Sequence, residues 1–154
     1  MLICLAAVVL FILVFFAIVS VLIQKTRFGV RSDGNPALRY FQAKDFENLQ
    51  AEDISFVSDK GQTLRGCIYS DMRVKEPKGL VIWVHGFGAG HNAYTTEIAY
   101  LAAQGYLVLG YDNTGCVLSD GKGVGGLIQG AIDASYAVRC VQNEPRLKQY
   151  KRVL

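Results

Sequence analysis

Two glycine-rich stretches carry the residues best suited to chemistry. The first reads His85-Gly86-Phe87-Gly88-Ala89-Gly90-His91, and the second runs from Asp112 through Gly115 and Ser119 to Gly121. Eleven of the 16 glycines fall between positions 86 and 130. Glycine lets main chain approach a ligand closely, and the backbone N–H groups of such a loop can stabilise an anion that develops during reaction. A nucleophile to go with them is harder to find. None of the serines at positions 20, 32, 55, 58, 70, 119 and 135 has glycine both two residues before and two after, and no cysteine does either. Ser119 comes nearest, with Gly121 on one side and Val117 on the other.

The same glycines permit a competing reading. Gly88-Ala89-Gly90-His91-Asn92-Ala93 fits G-x-G-x-x-A, and Asp112 follows Gly88 by 24 positions, near the spacing of a ribose-binding acid (112 − 88). Against a dinucleotide site, His85, Gly86 and Phe87 stand between the preceding apolar run and the first glycine of the motif. A phosphate-binding P-loop fails outright, because five residues separate Gly115 from Gly121 and Gly123 follows Lys122. No cofactor and no metal are expected: Cys4, Cys67, Cys116 and Cys140 lie far apart, without ligand spacing to either histidine. The basic residues are scattered apart from Arg146, Lys148, Lys151 and Arg152, and a net charge of +3 offers no dense face for nucleic acid.

These loops must be held by regular elements. Residues 80–84, Leu-Val-Ile-Trp-Val, form an apolar run without polar alternation, as in a parallel strand covered on both faces. Residues 106–111 read as a second such strand, and residues 152–154 as the opening of a third. Helical spacing over 94–104, closed by Gly105, and over 127–141, stopped by Pro145, predicts the intervening helices. Residues 54–58 and 63–69 read as two strands joined by Asp59-Lys60-Gly61-Gln62, a hairpin signal. The expected fold class is therefore α/β, a doubly wound, mostly parallel sheet with an antiparallel hairpin at its N-terminal side.

Ahead of this domain the chain changes material. The first 24 residues carry no charged side chain, so all 29 Lys, Arg, Asp and Glu lie in the other 130, about 22% of them, an ordinary value for a soluble domain. Of residues 1–23, 17 are Leu, Ile, Val or Phe, and at about 1.5 Å per residue the stretch reaches roughly 34 Å, enough for a bilayer core of ~30 Å. The apolar run is longer than that of a cleaved signal and has no basic stretch before it, so residues 1–24 are expected to be a transmembrane anchor. Lys25, Arg27 and Arg31 on its C-terminal flank place the domain in the cytoplasm by the positive-inside rule. Residues 25–53 are then a tether and packing segment, with a short helix expected over 37–43, where Leu38 and Phe41 share a face. Residues 54–154 are the globular part.

The order of elements and motifs resembles the α/β-hydrolase superfamily, and within it the serine hydrolases similar to monoglyceride lipases and serine aminopeptidases. There a strand runs into His-Gly, the next into an Asp-x-x-Gly…Ser-x-Gly loop, and the one after into a nucleophile in G-x-S-x-G. The match covers residues 54–154, with Thr114 where arginine is common and Val117 where glycine is common. The resemblance implies a membrane-anchored hydrolase acting on a small acyl substrate, a carboxylic ester or related compound, with the backbone N–H of Phe87 in the oxyanion hole. It implies that His85, Gly86, Gly88 and Gly90 shape that loop and that Asp112, Gly115, Ser119 and Gly121 shape the second. His85 is expected to order its loop rather than act as the base, and His91 to line the pocket mouth or, as the favoured reading, simply to be solvated. The resemblance also implies that the chain stops just before its active serine and is inactive alone. A non-enzymatic, membrane-anchored interaction module of the same fold is the alternative.

Overall fold

The computed structural model describes residues 2–153. Helix α1 (Leu2–Ile23) is long and apolar enough to cross a membrane, and continues as a π-helical turn, Gln24–Phe28. After residues 29–48 come β1 (Leu49–Val57), β2 (Thr63–Asp71), β3 (Gly79–Val84), α2 (Thr95–Ala103), β4 (Tyr106–Tyr111), α3 (Gly126–Asn143) and β5 (Arg152–Val153). The strands form one sheet in the order β1-β2-β4-β3-β5. β1 and β2 make the antiparallel hairpin, β2 joins β4 antiparallel, and β4, β3 and β5 run parallel.

The two crossover helices pack on opposite faces. Ala137 and Val141 of α3 close over Leu64, Leu80, Ile82, Leu109 and Tyr111, whereas Ile98 and Ala102 of α2 close over Leu49, Tyr69 and Val108. Neighbouring residues of β3 and β4 serve different faces, so both strands are apolar along their whole length, as their sequences predict.

Two expectations are corrected. β1 begins at Leu49, five residues ahead of 54, so part of the expected tether is sheet. Its first half, Gln50 to Asp53, is exposed at the sheet edge, where polar residues carry no burial pattern for a sequence reading to find. The helix expected over 37–43 does not form. A turn follows Pro36, only a 3-10 turn at Ala43–Asp45 is helical, and Leu38 and Phe41 are half exposed. Two apolar residues three apart were too little to stabilise so short a helix, for which nucleation is costly. The third parallel strand forms at Arg152–Val153, and Leu154, like Met1, lies outside the described residues.

Candidate active site

The carboxyl ends of β3 and β4 open into the two glycine-rich loops, and a cleft of about 210 Å³ lies between them. His85, Phe87, Gly88, Asn113, Leu127 and Ala131 are among its lining, and the cleft is mainly apolar. A larger cleft of about 530 Å³ lies between β1 and the chain at Arg146–Tyr150, away from both loops.

His85 bridges the two loops. Its Nε2 accepts the main-chain N–H of Asn113 at 2.9 Å, which leaves the proton on Nδ1 to be donated to the Gly86 carbonyl at 2.8 Å. The ring is buried, and burial holds its pKa below the ordinary histidine value. Protonating Nε2 would break the bond to Asn113, so the neutral ring belongs to the folded state. The unfolded chain therefore takes up the proton first. This contribution to stability is complete above the unfolded value, ~6.5, and is lost as pH falls below it, at up to ~1.4 kcal/mol per pH unit until the ring's own lowered pKa is passed. In denaturant titrations at pH 7.5 and 5.5, His85→Gln should lose less stability on acidification than the parent; equal losses would exclude His85 as the source.

His91 is the principal correction. Expected in solvent, it is buried, because the first turn after the loop folds back under β4. Its main-chain N–H and its ring Nδ1–H both reach Asp112 Oδ1, at 2.8 and 2.7 Å. Asp112 Oδ2 accepts the Leu118 N–H at 3.1 Å. Burial works to raise the Asp112 carboxyl, but the bonds from His91 and Leu118 outweigh it and hold the group below the usual carboxylate range. A carboxylate enclosed in this way has no face left for a ribose hydroxyl, which removes the main support of the dinucleotide reading.

Ser119 is likewise occupied. Buried, it donates its Oγ–H to the Asp112 carbonyl and accepts the Arg65 N–H at 2.9 Å. Gly115 adopts φ +68°, and a Cβ there would collide with the main chain of Gly123. Val117, where glycine is common in the resembling family, has φ +36°, a left-handed conformation costly for a β-branched residue. At Gly90 a Cβ would sit 2.9 Å from Asp112 Oδ1, so glycine is required for the loop to lie against the carboxylate. Gly86 donates its N–H to the Tyr94 hydroxyl at 3.2 Å, and the Gly121 carbonyl accepts from Arg31 at 2.9 Å. Phe87 is 56% exposed at the cleft mouth, and among the described residues no group accepts its N–H.

Two groups of residues lay outside the sequence reading. Asp133 of α3, fully buried, accepts Thr114 N–H at 2.7 Å, Thr114 Oγ1 at 3.0 Å, Ser58 Oγ at 2.7 Å and Gln129 Nε2 at 3.0 Å. The signal was present: Gln129, Asp133, Ala137 and Val141 recur every four residues along the buried stripe of the helix. The second group is Arg31 and Ser32. Rather than only flanking the apolar helix, the Arg31 guanidinium donates to the carbonyls of Val117, Ser119 and Gly121, each at 2.9 Å. Ser32 pairs through its main chain with Gly115 and Val117 and donates its hydroxyl to the Gly88 carbonyl.

The fold and the placement of these loops define the class: the chain has the α/β-hydrolase fold. Residues 75–139 match the family described as serine aminopeptidase, S33, and the chain is similar to serine hydrolases of that kind. An esterase of Pyrococcus furiosus superposes with a TM-score of 0.63 at 19% identity, over 77% of this chain and 44% of the esterase. An α/β hydrolase from a Penicillium species gives 0.52 at 24% identity, over 62% and 33%. Brefeldin A esterase, a bacterial homologue of human hormone-sensitive lipase, gives 0.54 at 17%, over 73% and 32%. The chain thus spans less than half the length of these solved structures. No curated protein matches it.

Proposed function

We propose that this chain is the N-terminal part of a membrane-anchored serine hydrolase that cleaves a carboxylic ester or related acyl substrate. The observation that carries this reading is the unaccepted N–H of Phe87, at the mouth of an apolar cleft beyond the carboxyl ends of parallel strands. In this reading a serine hydroxyl adds to the ester carbonyl, its proton passes to a general base, and the carbonyl oxygen becomes an oxyanion that Phe87 N–H helps to hold. The alcohol leaves with that proton, and water then releases the acid from the acyl-enzyme.

The serine is proposed to follow β5. Pairing of Leu80 with Arg152 and of Val81 with Val153 runs β5 parallel to β3, toward the end where the His85 loop lies. Ser119 and Ser58 are engaged in buried hydrogen bonds and face no histidine base. α1 serves as the anchor in this reading, and the basic residues on its flank support a cytoplasmic domain by the positive-inside rule.

A fluorophosphonate probe and a short-chain p-nitrophenyl ester, each applied to the 154-residue chain and to the continued reading frame, test the proposal. The longer protein should label at a serine directly after β5 and hydrolyse the ester, and the shorter should do neither. Labelling of the shorter chain at Ser119 or any other serine would overturn the assignment. Silence of the longer protein would make the fold a non-enzymatic module.

A further inference from the structure

The segment after α1 is not a loose tether. Gly125 N–H donates to the Phe28 carbonyl at 3.0 Å and Val124 N–H to the Val30 carbonyl at 3.1 Å, and a single parallel bridge joins Ser32 to Cys116. The Phe28 ring meets the Phe87 ring edge-on, with centroids 5.3 Å apart. The end of the apolar helix is therefore fixed against the mouth of the cleft.

This fixes depth as well as position. One five-residue π-helical turn, Gln24–Phe28, follows Ile23, the last residue of α1. At no more than about 1.5 Å per residue it advances about 7 Å, close to the roughly 5–7 Å that headgroups add on each side of a bilayer core. Lys25 and Arg27 sit on that turn, where basic side chains meet anionic headgroups. Phe87 and Leu127, which line the cleft, are 56% and 77% exposed, and Ile128, next to Leu127 on α3, is 78% exposed, an apolar patch left largely open among the described residues.

We propose that this patch is a bilayer-docking surface: the headgroup layer of the membrane that α1 spans covers Phe87, Leu127 and Ile128, and the cleft opens into it. The substrate then enters sideways, as an ester whose apolar chain already resides in the lipid. The substrate class rests on the hydrolase reading above, and the docking surface on the reading of α1 as a membrane anchor, not on the hydrolase chemistry.

The full reading frame, reconstituted in phosphatidylcholine–phosphatidylserine vesicles with a photoreactive benzoylphenylalanine at position 128, tests the surface without reference to catalysis. A second variant carries it at position 72, an exposed site on the loop at the opposite ends of the parallel strands. Irradiation should give lipid adducts at 128 at least tenfold above those at 72. Equal yields, or crosslinking of 128 to the protein's own polypeptide, would overturn the proposal. For the substrate class, Ile128→Asp should lower turnover of a long-chain ester embedded in vesicles about tenfold relative to a soluble short-chain ester. An unchanged ratio, in an enzyme that labels with fluorophosphonate, would remove lateral entry, and failure to label at all would instead remove the hydrolase reading and leave the crosslinking result standing.

Discussion

Asp133→Ala should cost the fold about 3 kcal/mol or more. Its carboxylate accepts from four donors on three parts of the chain: Ser58 after β1, Thr114 after β4, and Gln129 one turn earlier on α3. Alanine leaves the buried Thr114 N–H without its acceptor and the Ser58 hydroxyl with only a long bond to Asp59 at 3.5 Å, at about 1–3 kcal/mol for each group so deprived. Gln129 loses less, because its Nε2 also donates to Asp59. Asn keeps one acceptor oxygen but turns a donor toward Thr114, so Asp133→Asn should fall between parent and Ala. Thermal unfolding in mild detergent should show a drop of roughly 6–12 °C for Ala, taking about 2–4 °C per kcal/mol for a domain of this size. A shift below about 2 °C would mean that water or a neighbouring group replaces the carboxylate.

The second large effect is on rate. Phe87→Pro, introduced into the continued reading frame, removes the one N–H that this chain contributes to the proposed oxyanion hole. Loss of a single donor of that kind costs on the order of 10²–10³ in kcat. Phe87→Ala keeps the N–H and removes the ring, so its kcat on a soluble ester should stay within about tenfold of the parent. If Ala and Pro proved equally damaging, the aromatic ring and its contact with Phe28 would matter instead of the backbone. Circular dichroism and unfolding midpoints of both variants separate a lost donor from a lost fold.

The parallel strands and both crossover helices were legible in the sequence, because runs such as Leu-Val-Ile-Trp-Val at 80–84 and the fourfold spacing along α3 record burial directly. The start of β1 was not, since its edge residues bury little and leave no period. For the candidate site, glycine positions marked where the backbone must bend or be approached closely, and Gly115 does adopt the left-handed conformation. What stayed hidden were bonds between residues distant in sequence: Arg31 to the carbonyls around Ser119, Asp133 to Ser58, and His91 to Asp112. Composition and spacing carry no trace of a partner 20 to 90 positions away. The strain at Val117 belongs to the same group, because its left-handed φ is tolerated where Ser32 accepts its N–H and Arg31 donates to its carbonyl.

The docking of residues 28–33 on the loops has a thermodynamic corollary. If attachment of this strap makes the loop main chain better ordered for an oxyanion, then occupancy of the oxyanion position must tighten attachment of the strap by the same factor, because the two equilibria share one cycle. The proposed membrane anchor and the proposed reaction cleft are then reciprocal effectors, joined by the Ser32 hydroxyl on Gly88 and the Arg31 guanidinium on three carbonyls. Tension, tilt or lipid thickness acting on α1 is in this sense a ligand of the cleft, and a tightly held transition-state analogue is a force on the helix.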